Sequence, residues 1–180
     1  LYNEINGRPF FRYIPEESTF VHNANLMGAA WCAFVGKNLG DKIMIEQSLK
    51  AINLSVSEQT EQGAWLYGSN KFHNFIDGFH TGYNLELLSF IKDILQTKEY
   101  DRCIQIGYSF YLKNFITKKG LAKYYNNSIY PLDSHSFSQA ILTILKVGGQ
   151  SSDIELCDNV VNQFIKTAII CMLYCTFFYL

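Results

Sequence analysis

Two carboxylate–histidine pairs stand where they could exchange protons with a ligand. The first is Asp77-x-x-His80 and the second is Asp133-x-His135, and each lies at the start of an apolar stretch with helical periodicity. Carboxylic acids and imidazoles commonly serve as general acids and bases in enzymes. We therefore take Asp77, His80, Asp133 and His135 as candidate catalytic residues.

Amides, hydroxyls and aromatic rings accompany these pairs in the sequence. A sugar-binding cleft uses aromatic faces against the C–H faces of pyranose rings, and polar side chains to hold the hydroxyls. The residues that fit this description, and that we take as candidate substrate-binding residues, are Asn23, Asn25, Trp65, Tyr67, Thr81, Tyr130 and Gln139.

Each of these residues also has a purely structural interpretation. Aspartates at helix starts are common N-caps, so Asp77 and Asp133 could serve only as caps. The histidines could brace neighbouring loops through hydrogen bonds, and the aromatic residues could pack loops. The agreement in polar character between separate helix starts is what favours a functional site.

The elements that must position these residues form a repeat. Similar stretches open at His22, His80 and His135, at intervals of 58 and 55 residues. Each stretch continues as an apolar helical segment, a short break and a second helical segment. A period of this size with two helices per unit predicts an array of helical hairpins.

The chain is expected to be all-α and to form a single domain over residues 1–180. After an extended lead-in at residues 1–20, broken by Gly7, Pro9 and Pro15, we place the hairpins at residues 21–60, 80–116 and 135–175. If the hairpins curve into a ring, the starts of the inner helices converge at one end. Their dipoles then favour anionic or oxygen-rich ligands at that end.

Composition excludes several classes of function. The 15 basic and 16 acidic residues are mixed along the chain and give a net charge of −1, so we expect no nucleic-acid partner. Five cysteines without CxxC pairs indicate buried thiols in a reducing, cytoplasmic setting, with no metal site and no cofactor. The uncharged C-terminal run of 167–180 is too short for a membrane span, so we expect a buried helix followed by an aromatic strand or loop, and no membrane partner.

Several segments resemble a known group of proteins. The segments VHNANLMGAAWCAFVGK, QGAWLYG, FIDGFHTGYNLELL and KYYNNSIYPLDSHSFSQAILTI look like those of bacterial six-hairpin (α/α) toroid proteins from polysaccharide-biosynthesis loci. The resemblance covers roughly residues 10–165. These proteins are similar in fold to glycoside hydrolases, uronate lyases and sugar epimerases.

The resemblance implies a sugar-handling site at the helix starts. It carries over to Asn23, Asn25, Trp65, Tyr67, Asp77, His80, Thr81, Asp133, His135 and Gln139. It departs at the C-terminal end, where residues 168–180 lack the charged residues and the glycine of the family pattern. Three hairpins are an incomplete ring, so we expect the remainder of the toroid, or a partner chain, to complete it.

Three functions stay open on the sequence alone. The first is an enzyme of bacterial polysaccharide metabolism that acts on an oligosaccharide or polysaccharide as a hydrolase, lyase or epimerase. The second is a non-catalytic component of a polysaccharide assembly system that binds glycan or protein in the same funnel. The third, an isoprenoid-handling toroid, is the weakest because the sequence has no DxDD or DDxxD motif.

Overall fold

Six α-helices in three pairs make up most of the chain. The computed structural model describes the backbone of residues 2–178 and the side chains of residues 2–169. The helices are α1 (His22–Leu39), α2 (Lys42–Ser57), α3 (Gly78–Leu95), α4 (Asp101–Phe115), α5 (Ser134–Val147) and α6 (Ser151–Phe178). All three predicted hairpins are confirmed, with helix starts within one turn of their expected positions.

The helices form an inner and an outer layer. α1 packs beside α3 and α3 beside α5, while α2, α4 and α6 each pack on the helix that precedes them. Because every hairpin reverses the chain, the three inner helices run in the same direction and start at the same end. Neighbours surround α3 on most sides, and its Leu85, Leu88 and Ile91 are fully buried.

One face of the inner layer carries exposed apolar side chains. Trp31 and Phe34 on α1 and Phe90 on α3 are 56%, 41% and 40% exposed. Their rings contact one another, with centroids 5.9 Å apart for the α1 pair and 6.4 Å from each of these rings to Phe90. This is the unpaired helix face expected of a partial ring.

The lead-in is more ordered than the sequence analysis expected. It folds as an antiparallel hairpin of β1 (Tyr2–Ile5) and β2 (Arg8–Phe11). The turn residues Asn6 and Gly7 both have positive φ, 53° and 73°, which suits the Asn-Gly pair of a tight hairpin. β2 packs on α1 and α2, so the hairpin forms a wall beside the start of α1.

Two connecting loops repeat the same hydrogen bonds 57 residues apart. In residues 60–64 and 117–121 the first N–H donates to the last carbonyl, at 2.9 and 3.0 Å. The last N–H donates back to the opening threonine Oγ1, at 3.0 and 2.9 Å. Gly63 and Gly120 have φ of +94° and +82° and lie against the carbonyls of Ile106 and Asn159 on the next outer helix. These loops fix the end of each outer helix against the outer helix of the following hairpin.

The C-terminal element differs from its prediction. α6 continues as one helix to Phe178, whereas the sequence analysis placed an aromatic strand or loop near the end. Residues 179 and 180 lie outside the described residues. Within the part of the chain that the structure describes, no helix has the length and apolarity that crossing a membrane requires.

Candidate functional site

Asp77 holds His80 at the start of α3. Its carboxylate accepts the His80 backbone N–H at 2.8 Å, and both of its oxygens lie 2.9 Å from His80 Nδ1. Because a carboxylate oxygen only accepts hydrogen bonds, the proton of the neutral imidazole sits on Nδ1. The Asp77 side chain is 1% exposed and that of His80 is 23% exposed, so Nε2 is the ring nitrogen left for a ligand.

Aromatic rings surround the His80 imidazole. The Tyr67 ring meets it edge-on with centroids 4.5 Å apart, and Phe79 lies 5.3 Å away. Tyr67 is itself stacked on Phe75 at 5.0 Å and 13°. Burial raises the pKa of the Tyr67 phenol, and the negative charge of Asp77 raises it further. The phenol is therefore a neutral hydrogen-bonding group beside the imidazole.

The second carboxylate–histidine pair forms at the start of α5. Asp133 accepts the His135 backbone N–H at 3.1 Å, and its carboxylate lies 3.2 Å from His135 Nδ1. This pair is far more exposed, with the His135 side chain at 74%. The Phe79 ring lies 6.0 Å from the His135 ring and 5.3 Å from the His80 ring, so one aromatic side chain is near both imidazoles.

Tyr124 lies near both carboxylates. Burial is the largest cause that raises the pKa of its phenol, and the negative charges of Asp77 and Asp133 raise it further. The backbone beside it also bonds to the α3 start, because Gly78 N–H donates to the Tyr124 carbonyl at 2.8 Å. The predicted convergence of acidic and imidazole groups at one end of the inner layer is therefore present.

A cleft of about 480 Å³ opens between the starts of α1 and α3, and we call it the α1–α3 cleft. Its wall contains polar and aromatic side chains from the β-hairpin segment and from both helices, including Arg12, Tyr13, Asn23, Phe79, His80 and Tyr83. Within residues 2–169, the buried atoms Arg12 Nε and Asn23 Oδ1 have no hydrogen-bond partner.

Four of these cleft residues, Arg12, Tyr13, Phe79 and Tyr83, were missed by the sequence analysis. Arg12 and Tyr13 follow β2, and their signal was the Asn-Gly turn, which makes the lead-in a hairpin that returns to α1. Tyr83 lies three residues after His80 on α3, a spacing that places both side chains on one helix face.

Two predicted substrate-binding residues lie in the core instead. Asn25 is fully buried, and its amide bonds to Phe11 N at 2.9 Å, Ala51 O at 2.8 Å and Ser55 Oγ at 2.9 Å. Trp65 is 2% exposed and its indole N–H donates to the Ser55 carbonyl at 2.9 Å. Neither has a free group or ring face for a sugar, so the direct contacts expected of them do not fit their positions.

Thr81 and Gln139 are also turned to protein partners. Thr81 Oγ1 donates to the Asp77 carbonyl at 2.6 Å, which secures the first turn of α3. Gln139 is 3% exposed and donates to Glu86 and, at 3.1 Å, to Thr143 Oγ1 between α3 and α5. The hydrogen bonds of these two residues stabilise the helices that carry the site.

Tyr130 lies on the loop before α5 with 72% of its surface exposed. It is outside the lining of the α1–α3 cleft. Its assignment as a substrate-binding residue stays a prediction. Within the described residues, no three His, Cys, Asp or Glu side chains are grouped closely enough to hold a metal ion.

His22, at the start of α1, is 3% exposed and lies in the interior beside Ser55. Burial, and secondarily the Arg8 charge, lowers its pKa to about 3. His22 therefore stays neutral in the folded protein at pH values below its ordinary pKa of 6.5, where the same side chain binds a proton in the unfolded chain. The stability from neutral His22 is complete above pH 6.5 and is lost as pH falls toward 3.

We therefore expect acid to destabilise the wild type more than the variant His22→Gln. Between pH 7 and pH 5 the additional loss in unfolding free energy should be about 2 kcal/mol. Urea denaturation of both proteins at the two pH values measures it, and the comparison cancels the titration of the other groups. Equal losses in the two proteins would show that His22 is accessible to protons in the native state.

A solved structure has the same architecture. The chain is similar to a crystal structure described as a possible member of the GH105 family from Salmonella enterica serovar Paratyphi A. The TM-score is 0.70, the sequence identity is 15%, and the match covers 89% of this chain and 50% of that chain. The chain has an (α/α) toroid fold.

This similarity confirms the predicted fold class. At 15% identity the likeness concerns the fold alone, and the chain spans about half the length of this neighbour. No family model matches the chain, and no curated protein matches it significantly.

Proposed function

We propose that the chain binds an oligosaccharide or polysaccharide in the α1–α3 cleft, with His80 as the group that exchanges protons with it. The observation that carries the proposal is the coincidence, in one cleft, of an imidazole fixed by Asp77 with the guanidinium of Arg12 and the amide of Asn23. Glycans supply many hydroxyl groups that can bond to such side chains.

The aromatic residues of the cleft suit the same ligand. Tyr13 is 61% exposed, and Tyr83 and Phe79 line the wall next to His80. Aromatic rings pack on the C–H faces of a sugar, while the amide of Asn23 and the guanidinium of Arg12 can bond its oxygens. Apolar faces combined with a few directed polar groups are typical of small-molecule sites.

The geometry assigns different roles to the members of the Asp77–His80 pair. The Asp77 carboxylate is buried and bonded to the imidazole, so it orients His80, as in other carboxylate–histidine pairs. His80 Nε2 would then take or give the proton. Asp133 and His135, across Phe79, are proposed as the second acid–base pair.

Catalysis and simple binding are both compatible with this cleft. Of the proposed acid–base residues only His80 lines the α1–α3 cleft, and proton exchange by one imidazole suits a lyase or an epimerase better than a hydrolase, because Asp77 is not free to act beside Asp133. The same burial of Asp77 favours the second candidate, a non-catalytic glycan-binding component. The fold shared with a possible GH105 member supports a role in carbohydrate metabolism, which we propose to be bacterial polysaccharide metabolism.

Binding of an oligosaccharide panel measured by calorimetry tests the proposal. We expect Asn23→Ala and His80→Gln each to weaken binding about tenfold, since each removes a hydrogen bond in a desolvated cleft. Asn127→Ala, in an exposed loop, is the matched control and should bind like the wild type.

The outcomes separate the candidates. Binding with product formation that disappears in His80→Gln supports the enzyme, and binding without turnover supports the non-catalytic component. Failure of every oligosaccharide to bind, or equal affinity of the wild type and Asn23→Ala, would exclude the α1–α3 cleft as the glycan site.

A further inference from the structure

A second cavity lies on the other side of the β-hairpin. Its volume is about 500 Å³, and we call it the Arg8 cavity. Its lining includes Arg8, His22, Glu58, Asn70, Lys71 and Asn74. It shares no lining residue with the α1–α3 cleft, so it stands independently of the proposed function.

A buried hydrogen-bond relay determines the tautomer of His22. The Asn25 amide N–H donates to Ser55 Oγ at 2.9 Å, and Ser55 Oγ lies 3.2 Å from His22 Nδ1. Among the described residues, the Ser55 hydroxyl has no other acceptor, so its hydrogen points to Nδ1. The proton of neutral His22 is therefore on Nε2, which makes Nε2–H a fixed donor at the cavity wall.

Glu58 places an acceptor beside this donor. One of its carboxylate oxygens pairs with Arg8, and the other, Oε2, lies 3.5 Å from His22 Nε2. This separation is too long for a strong hydrogen bond between them. A hydroxyl group can accept from Nε2–H and donate to Oε2 at the same time, whereas a carboxylate or sulfate cannot donate and would face the Glu58 charge.

The rim continues the same mixture of donors and acceptors. Asn70 uses its side-chain oxygen to accept the Phe72 N–H at 3.3 Å, which leaves its amide N–H groups for a ligand. Asn74 and Lys71 are exposed at the rim and add an amide and a donor. Charges of both signs and several amides in a space of this size suit a polyhydroxyl compound better than an anion.

We propose that the Arg8 cavity is a second sugar site, which binds a neutral monosaccharide unit through a hydroxyl shared by His22 and Glu58. The site takes free sugar or one residue of a glycan, and the common requirement is a hydroxyl that donates and accepts. A ligand in the Arg8 cavity contacts the His22 Nε2–H, so a change in the resonances of this group reports that the cavity is occupied.

Nuclear magnetic resonance of the ¹⁵N-labelled full chain tests this site. The probes are the methyl glycosides of glucose, galactose and N-acetylglucosamine, with sodium sulfate as the anion. We expect at least one glycoside to shift the His22 Nε2–H resonances saturably at millimolar concentration, and sulfate to leave them unchanged.

Matched variants assign the effect to the cavity. Glu58→Ala removes the acceptor and should weaken glycoside binding about tenfold, whereas Glu61→Ala, an exposed glutamate of the adjoining loop, should not. Asn74→Ala on the exposed rim tests the same site if Glu58→Ala is unstable. His80→Gln should leave the His22 shift intact, which separates this site from the α1–α3 cleft.

Two results would overturn the assignment. One is the absence of any His22 shift with all three glycosides. The other is a sulfate-induced shift equal to that of the sugars, which would make the cavity an anion site. An unchanged affinity in both Glu58→Ala and Asn74→Ala would likewise place the glycoside elsewhere.

Discussion

Asn25→Ala should lower the free energy of unfolding by about 4 kcal/mol, because it removes three buried hydrogen bonds and leaves the Phe11 N–H without its partner. The Asn25 amide accepts the Phe11 backbone N–H and donates to the Ala51 carbonyl and the Ser55 hydroxyl. Alanine can replace none of these bonds, and each unpaired buried group costs about 1–3 kcal/mol. The amide also joins β2 to α1 and α2, so its loss loosens the lead-in hairpin.

Asn38→Ala is the matched control for Asn25→Ala. Asn38 is also an α1 asparagine, and its side chain donates only to the Phe34 carbonyl of its own helix, near solvent. Urea denaturation should place this variant within about 0.5 kcal/mol of the wild type. If Asn25→Ala were as stable as Asn38→Ala, the polar junction between β2 and α2 would not form as described.

The position of Asn25 shows where sequence reasoning about the site stops. At a helix start, an amide three residues after His22 has the same sequence pattern whether it faces a funnel or a neighbouring helix. The neighbouring helix α2 determines the position of Asn25, because the Ala51 carbonyl and the Ser55 hydroxyl accept hydrogen bonds from its amide. Trp65 was misplaced for the same reason, since only the fold shows that its indole donates into α2.

The repeat, in contrast, could be read directly from the sequence. The intervals between His22, His80 and His135 gave the hairpin period because each unit must bury one apolar face against the next. The convergence of Asp77–His80 with Asp133–His135 followed from that period alone. The Phe79 ring lies 5.3 Å from the His80 ring and 6.0 Å from the His135 ring, and the catalytic roles of the two histidines stay a prediction.

The wall of the α1–α3 cleft could not be predicted in the same way. Two of its five side chains with polar groups are Arg12 and Tyr13, which belong to no repeat unit. Their placement depends on the Asn6-Gly7 turn and on the contact between Phe11 and Gly28, where a Cβ would lie 2.5 Å from Phe11 side-chain atoms. Such long-range packing leaves no periodic signal.

Gly120→Ala should destabilise the protein by about 3 kcal/mol, the second large effect that we expect. Gly120 has φ of +82°, which costs an L-residue about 1–2 kcal/mol. Its Cβ would also lie 2.4 Å from the Asn159 carbonyl oxygen, a contact with the α6 backbone that no side-chain rotation relieves. The loop must then move off α6, which breaks its attachment to the third hairpin.

Gly40→Ala separates the two contributions to this loss. Gly40 has a similar φ of +70°, but no atom lies within 4 Å of a Cβ built there, so this variant reports conformational strain alone, about 1 kcal/mol. Thermal and urea unfolding of both variants measures the difference, which is the cost of the clash with α6. Gly63→Ala should behave like Gly120→Ala, since its Cβ would meet the Ile106 carbonyl oxygen at 2.5 Å. Equal losses of unfolding free energy in Gly40→Ala and Gly120→Ala would mean that the loops do not pack closely against the outer helices. Helix packing alone would then stabilise the repeat.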